Sequence, residues 1–140
     1  MQAGNGVENM QNAHVANHLR KSEIFIEDAQ CLYDRGRYDS CASRAYYAAF
    51  RAAVALMEHL GYVRPSWNHG RLRTALRQRL VRDRNILEEA DVNKLETAYR
   101  WRVVADYEYA LTPIEDAEDA VVNARQLIAR FNEVMNHEVD

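Results

Sequence analysis

RAYYAAFRAAVALM, residues 44–57, is the segment that most strongly indicates a helical fold. Six of its 14 residues are Ala, the best helix former, and none of them is Gly or Pro. Because Ala side chains are small, neighbouring helices can approach such a segment closely. We therefore predict that the stretch is the middle of a helix from about Asp39 to Leu60. Asp39 or Ser40 is expected to cap this helix, and Gly61 to end it.

The remaining chain predicts further helices and no strand, since no stretch alternates apolar and polar residues over six positions. The last helix has the clearest start, where Thr112 can be the cap, Pro113 the first helical residue and Glu115 the partner in a capping box. We expect an all-α, up-and-down bundle of four long helices with a shorter helix inserted. The helices other than residues 39–60 are predicted at about 13–35, 69–81, 91–109 and from 113 onward.

The length of 140 residues predicts one domain, and an apolar fraction of 48% is enough for a core. We expect the domain to span residues 13–135, with residues 1–12 frayed or disordered and residues 136–140 as a tail. The start lacks the apolar segment of a signal peptide, and no segment approaches the roughly 20 apolar residues of a membrane span. These features predict a cytoplasmic protein with no membrane partner.

The net charge of −3 argues against general adhesion to nucleic acid or membranes, but the positive charge is unusual. All but two of the 18 basic residues are Arg. Either a GC-rich genome has replaced Lys by Arg throughout, or the protein uses the forked contacts that Arg makes to phosphate and carboxylate. Six of these Arg lie in RLRTALRQRLVRDR, residues 71–84, on both sides of a leucine stripe. This run is either a solvated helix surface or a contact surface for RNA phosphates or for an acidic partner.

YRWRVVADYEYAL, residues 99–111, places charged and polar groups on a stripe that should be apolar. At helical spacing, Arg102 lies within about 20° of Leu95, and Tyr109 falls on the same stripe. Asp106 is four residues after Arg102, so the two can form an ion pair along the helix. Arg102 and Asp106 therefore form either a structural ion pair or part of a cleft in which Arg102 binds phosphate.

Histidine offers few catalytic or metal-binding candidates. His14 and His18 are one helical turn apart, but no acidic third ligand follows at a suitable spacing, so no metal site is expected. His69 stands where the third helix should begin. It is either a capping or loop residue or a catalytic base close to Arg102.

The segment GRYDSCASRAYYAAFRAAVALMEHLGY, residues 36–62, resembles the HEPN domain, the higher-eukaryote and prokaryote nucleotide-binding domain. The likeness is to the small stand-alone group found in bacteria and archaea, and it extends over about residues 13–135. The matching positions are Gly36 and Tyr38 in the turn; Arg44, Tyr46, Tyr47, Ala48 and Phe50 on the second helix; His69; and Arg102, Ala105, Asp106 and Tyr107 on a later helix.

The resemblance implies a helical bundle that forms a two-fold dimer. Many members of the group are toxins paired with a minimal nucleotidyltransferase antitoxin, and active members are metal-independent ribonucleases. Their motif is Arg, four to six residues, then His, and both subunits contribute to one cleft. Here Tyr107 stands at the His position, and a phenol is a poor base at neutral pH. Tyr109 matches the trailing Tyr that some antitoxins modify with AMP.

Two hypotheses follow from the resemblance. The first is a toxin component of a toxin–antitoxin or defence pair that acts on RNA; the second is a non-catalytic module that binds a nucleotide or docks a nucleotidyltransferase. Neither hypothesis requires a cofactor. The residues assigned are Arg102, Tyr107 and His69 as catalytic; Asp106 as supporting and Tyr109 as the modified residue; and Arg44, Tyr47, Arg73 and Arg77 as binding.

Overall fold

A computed structural model describes the backbone of residues 2–137 and the side chains of residues 10–137. Within residues 2–137 every regular element is helical and no strand occurs, which confirms the all-α prediction. The elements are α1 (Gln2–Asp34), α2 (Tyr38–His59), α3 (His69–Ala75), a π-helical segment (Leu76–Asp83), α4 (Glu89–Tyr107) and α5 (Ile114–His137).

The Ala-rich helix α2 is the centre of the bundle, since it packs against α1, α4 and α5. Its alanines are fully buried, as the small side chains predicted; Ala49 and Ala52 are both 0% exposed. Close approach also allows a polar contact between helices, because the Ser22 hydroxyl donates to the Ala48 carbonyl at 2.7 Å. The core therefore depends on backbone proximity as much as on large side chains.

The first helix is longer than predicted. It begins at Gln2 rather than near Ala13, so residues 2–12, which were expected to be frayed, are helical. One physical reason is a tertiary contact, because the Gln11 side-chain amide donates to the Glu58 carbonyl oxygen near the end of α2. Gly36 then ends α1 as predicted, with the positive φ of 74° that glycine tolerates best.

The last helix is also slightly longer than predicted. It continues through His137, so the expected tail at residues 136–140 does not begin at residue 136. Residues 138–140 of that predicted tail lie outside the described residues. The domain limits at residues 13 and 135 stay predictions.

The residues predicted to cap α2 and α5 bind each other instead. The Thr112 backbone N–H and hydroxyl both donate to Asp39 Oδ1, with the N–H contact at 2.9 Å. Asp39 lies inside the first turn of α2, and Thr112 lies before Pro113, whose carbonyl accepts the first hydrogen bond of α5. The first turn of α2 and the residues before α5 lie next to each other. The two hydrogen bonds from Thr112 to Asp39 therefore link the two helices, whereas each residue was expected to cap its own helix.

The third helix changes type after Ala75, where a regular helix was expected to continue to Val81. Leu72, Leu76 and Leu80 recur every four residues, which is wider than the 3.6-residue α-helical turn, and all three are 0% exposed. The wider π turns keep these leucines directed at the core. Arg79 and Arg84 both lie over the Tyr62 ring, with Cζ 5.8 and 6.0 Å from its centre.

Helix α4 carries the stripe of polar residues and faces α2 through Leu95 and Ala98, which are buried. It begins where the Glu88 backbone N–H donates to Asp91 Oδ2 at 2.9 Å. It ends at Tyr107, not Tyr109 as expected, because Glu108 adopts an extended conformation with ψ of 154°. The chain then turns towards Pro113, before which helical geometry is disfavoured.

Candidate functional site

Arg102 lies on α4 with its guanidinium directed towards α2, and its side chain is 18% exposed. Its Nη2 donates to the Tyr47 hydroxyl at 2.8 Å. Its Nε lies 3.0 Å from Asp106 Oδ2, which confirms the predicted pair, although the N–H of Nε is not aligned with that oxygen. Two helices thus hold the guanidinium in place and leave part of it open to solvent.

Two tyrosine rings flank the same guanidinium. The Arg102 Cζ lies 5.4 Å from the centre of the Tyr47 ring and 5.6 Å from that of the Tyr107 ring, within the range of cation–π attraction. Partial burial lowers the pKa of Arg102, but the surrounding Tyr47, Asp106 and Tyr107 groups raise it more, so the net shift is upward. Arg102 is therefore a permanent, preorganised cation.

An open hollow of about 550 Å³ lies beside this group, between the start of α2 and the end of α4. Arg44 is on its wall, exposed, with its Cζ 5.2 Å from the centre of the Phe25 ring. Among residues 10–137, no carboxylate lies within ion-pair distance of Arg44. We call Arg102, Tyr47, Asp106, Tyr107 and Arg44 the Arg102 site. The hollow is lined by Asp39, Ser40, Ser43, Arg44, Tyr47, Ala105 and Asp106.

His69 belongs to a different and more closed arrangement, which we call the His69 network: Tyr46, His69, Glu96 and Arg73. The imidazole is 9% exposed and stacks on Tyr99 with the ring centres 3.8 Å apart. Its Nε2 lies 2.6 Å from Glu96 Oε1, and its Nδ1 lies 2.9 Å from the Tyr46 hydroxyl. Both ring nitrogens are therefore occupied.

Protonation in the His69 network follows from the partners. Burial lowers the pKa of His69 more than the hydrogen bond to Glu96 raises it, which favours the neutral ring. Because the Glu96 carboxylate can only accept, Nε2 carries the proton and Nδ1 accepts from Tyr46. Burial raises the pKa of Tyr46, so its hydroxyl keeps the proton that it donates. Burial also raises the pKa of Glu96, but the contacts with His69 and Arg73 lower it more.

The other predicted site residues are dispersed. Arg73 lies 3.4 Å from Glu96 Oε1, and Arg77 pairs with Glu89, so both guanidiniums already have carboxylate partners on α4. Tyr109 lies beyond the end of α4 and is fully exposed, so it does not continue the inward stripe. Tyr107 is 72% exposed and forms the rim of the Arg102 site.

Sequence reasoning missed Glu96 and Tyr99, which hold His69 in place. A signal was present, because Glu96, Tyr99 and Arg102 recur every three residues on α4 and so share one face. Arg102 reaches Tyr47 while Tyr99 reaches Tyr46, with ring centres 5.5 Å apart. One face of α4 therefore serves both the Arg102 site and the His69 network.

Comparison with known proteins identifies the family. The sequence model of the HEPN domain family matches residues 15–134, which is most of the chain. The chain belongs to the HEPN domain family. A UPF0332 protein of Archaeoglobus fulgidus is 32% identical to it, over 79% of this chain and 91% of the relative. HEPN membership supports a role related to nucleotides or RNA.

A solved structure shares the fold of this HEPN domain. The crystal structure of TT1696 from Thermus thermophilus superposes with a TM-score of 0.70 at 21% sequence identity. The match covers 86% of this chain and 97% of the other chain. Within residues 2–137, no helix combines the length and the apolar character that crossing a membrane requires.

Proposed function

We propose that this HEPN protein is the toxin component of a toxin–antitoxin or defence pair, and that it acts on RNA in the cytoplasm. Its contact with RNA is a cleft shared by two copies of the chain and centred on Arg102. The observation that carries the proposal is the fixed, partly open guanidinium of Arg102, held by Tyr47 and Asp106 beside a hollow that also contains Arg44.

The Arg102 site suits phosphate because its cation is held in place before binding. Guanidinium has five N–H donors; Nη2 donates one to Tyr47, and Nε is buried beside Asp106 without a hydrogen bond. Nη1 and the second N–H of Nη2 are then available to phosphate oxygens in the forked geometry that Arg favours. Arg44 supplies a second cation on the hollow wall, so neighbouring phosphates of one strand can be bound together.

A second copy of the chain would complete the site. HEPN domains often dimerise, and large apolar side chains are exposed where α4 ends and the chain turns into α5. Large exposed apolar patches are typical of protein interfaces. Covering this patch with a second copy would bring two Arg102 sites together. The exposed side chains are Val104, Tyr107, Tyr109, Leu111 and Ile114.

The assignment of a general base follows from which groups remain available. Both ring nitrogens of His69 are hydrogen-bonded, so His69 is not available as a base. We assign His69 the role of holding Tyr46 in position, and we assign the role of general base to Tyr107. Cleavage requires that the base take the proton of the 2′-hydroxyl as its oxygen attacks phosphorus and the bond to the 5′-oxygen breaks; water supplies the proton to that oxygen. Since phenol is a poor base, the wild type should bind RNA but cut it slowly.

The decisive experiment is a cleavage assay on labelled RNA in EDTA with three variants. We expect Tyr107→His to cut RNA at least about a hundredfold faster than the wild type, because it supplies the imidazole base. Val122→His is the control, since it adds the same group at an exposed position on α5 outside the apolar patch. Adding Arg102→Ala to Tyr107→His should abolish the gain. Equal cutting by the two His variants would contradict the assignment of the cleft.

The shared cleft has its own test. We expect Leu111→Glu to shift the protein from dimer to monomer in analytical ultracentrifugation, because it places a charge in the exposed apolar patch. Val122→Glu, at an exposed position on α5, is the control and should leave the dimer unchanged. A monomeric wild type would contradict the shared cleft.

A second candidate function is a non-catalytic module that binds a nucleotide or docks a nucleotidyltransferase. The fully exposed phenol of Tyr109 favours it, because a modifying enzyme could reach that hydroxyl directly. It predicts adenylylated Tyr109 in mass spectra of protein expressed with a neighbouring nucleotidyltransferase gene, and no adduct on Tyr109→Phe. RNA cleavage by the wild type would instead favour the first candidate.

A further inference from the structure

A second cleft lies away from the Arg102 site and shares no lining residue with its hollow. It has a volume of about 670 Å³ and lies between α1, the second half of α2 and the connection from α2 to α3. This volume is within the range of small-molecule pockets. We call it the Trp67 cleft; its lining includes Phe50, Arg51, Arg64 and Trp67.

The Trp67 cleft has an aromatic and apolar wall. Phe50, Val54 and Pro65 contribute apolar surface beside the indole of Trp67. The indole Nε1 is buried and has no acceptor among residues 10–137. Because solvent does not reach this atom, the indole contributes to the cleft through its ring and not through its N–H.

Positive charge predominates in the cleft. Arg51 Nη1 lies 3.1 Å from His18 Nδ1, and burial lowers the pKa of His18, which favours the neutral ring that can accept from Arg51. Arg64 is exposed, with its Cζ 5.2 Å from the centre of the Trp67 ring. Within residues 10–137, neither Arg51 nor Arg64 has a carboxylate at ion-pair distance. The acidic residue of the lining, Glu58, is buried 3.6 Å from His18 Nε2.

We propose that the Trp67 cleft binds a small organic anion, with a planar aromatic body against Trp67 and Phe50 and a phosphate or carboxylate held by Arg51 and Arg64. The planar body matches the aromatic wall that Trp67 and Phe50 provide. The negative group matches the two guanidiniums, which bind phosphate and carboxylate through the same forked contacts.

Calorimetry with the purified full chain and four probes tests the ligand class. AMP and 2-naphthoate carry both a planar body and a negative group; adenosine lacks the charge, and inorganic phosphate lacks the body. We expect AMP, 2-naphthoate or both to bind at least about tenfold more tightly than adenosine and inorganic phosphate. Binding of only one identifies which combination of planar body and anionic group the cleft accepts. Failure of both, or equal binding of adenosine or phosphate, would overturn the proposal.

Variants then test whether the anion binds in the Trp67 cleft. Arg64→Gln changes an exposed residue and should weaken binding about tenfold without affecting folding. Trp67→Phe replaces the indole with a smaller ring, so it should weaken binding by reducing the aromatic wall. The unfolding temperature without ligand should be unchanged or higher, because the buried indole N–H has no acceptor among residues 10–137. Arg125→Gln, at an exposed position on α5, is the control and should bind normally.

The Arg102→Ala variant separates this proposal from the proposed function. It should leave affinity for the anion unchanged, since Arg102 does not line the Trp67 cleft. Loss of anion binding in Arg102→Ala with normal binding by Arg64→Gln and Trp67→Phe would place the ligand in the Arg102 site and overturn the proposal. Loss of RNA binding by Arg102→Ala does not bear on the proposal that the Trp67 cleft binds an anion.

Discussion

Tyr46 and Tyr47 are adjacent on α2, yet their hydroxyls end in opposite environments. Tyr46 is 3% exposed, and its hydroxyl contacts His69, whose other nitrogen contacts Glu96. Tyr47 is half-buried, and its hydroxyl accepts from Arg102, which remains partly open to solvent. One residue of displacement on the helix therefore separates a closed polar network from an open site.

The contrast between Tyr46 and Tyr47 distinguishes polar residues that stabilise this fold from polar residues that can bind a ligand. In the His69 network both ring nitrogens have partners, and burial excludes further ligands. In the Arg102 site the cation is positioned but retains free donors. We therefore expect changes in the His69 network to affect mainly stability, and changes in the Arg102 site to affect mainly RNA binding.

The largest effect should come from removing the imidazole. His69→Ala leaves the Tyr46 hydroxyl and the Glu96 carboxylate without their partner and removes the stack on Tyr99. We expect it to lower the free energy of unfolding by about 3 kcal/mol. Arg102→Ala, which removes a partly exposed ion pair, should cost less than about 1 kcal/mol. Urea unfolding of both variants measures the difference, and equal losses would contradict the comparison.

A smaller effect should separate the two tyrosines themselves. Tyr46→Phe leaves His69 Nδ1 buried without a donor, so we expect a loss of about 1–2 kcal/mol in the free energy of unfolding. Tyr47→Phe leaves a guanidinium that water can reach, and should cost about 0.5 kcal/mol or less. Chemical denaturation of this pair is a matched test, because each variant removes one hydroxyl from neighbouring positions. The reverse order would show that the Arg102 site is the more structural of the two.

The smallest effect concerns pH. Because burial lowers the pKa of His69, the unfolded chain takes up the proton first as pH falls below about 6.5. The stability associated with the neutral ring is therefore fully present above that pH and is lost as pH falls towards the lower pKa of the folded state. His69→Gln should make the free energy of unfolding fall less between pH 7.5 and 5.5. An unchanged slope would show that His69 does not titrate on unfolding.

Burial also lowers the pKa of His18, so a second contribution of the same sign is expected. His18→Gln should flatten part of the same pH dependence, and the double variant should flatten more than either single one. The two imidazoles lie in separate clusters, so their effects on the slope should add.

The order of the helices and the bounds of α2 were predictable from the sequence because they depend on spacing along the chain. The pairing of Arg102 with Asp106 follows from a four-residue separation on one helix, and the structure confirms it. The burial of α2 follows from its alanines. These features need only local geometry, so periodicity is sufficient to predict them.

Contacts between distant residues were not predictable in the same way. Tyr46 and His69 meet only because the connection after α2 returns the chain to that side of the bundle. Asp39 and Thr112 suited local capping equally well, and only the meeting of two helix ends made them partners. The π turns after Ala75 depend on packing of Leu76 and Leu80, which a regular helical period does not represent.

The most direct measurement is the affinity for a fluorescently labelled single-stranded RNA of Arg102→Ala beside Arg100→Ala. Both variants remove an Arg from α4, but Arg100 is exposed and contacts the Thr97 hydroxyl rather than Tyr47. We predict at least a tenfold loss of affinity for Arg102→Ala and little change for Arg100→Ala. Equal affinities for wild type and Arg102→Ala would contradict an RNA site centred on Arg102.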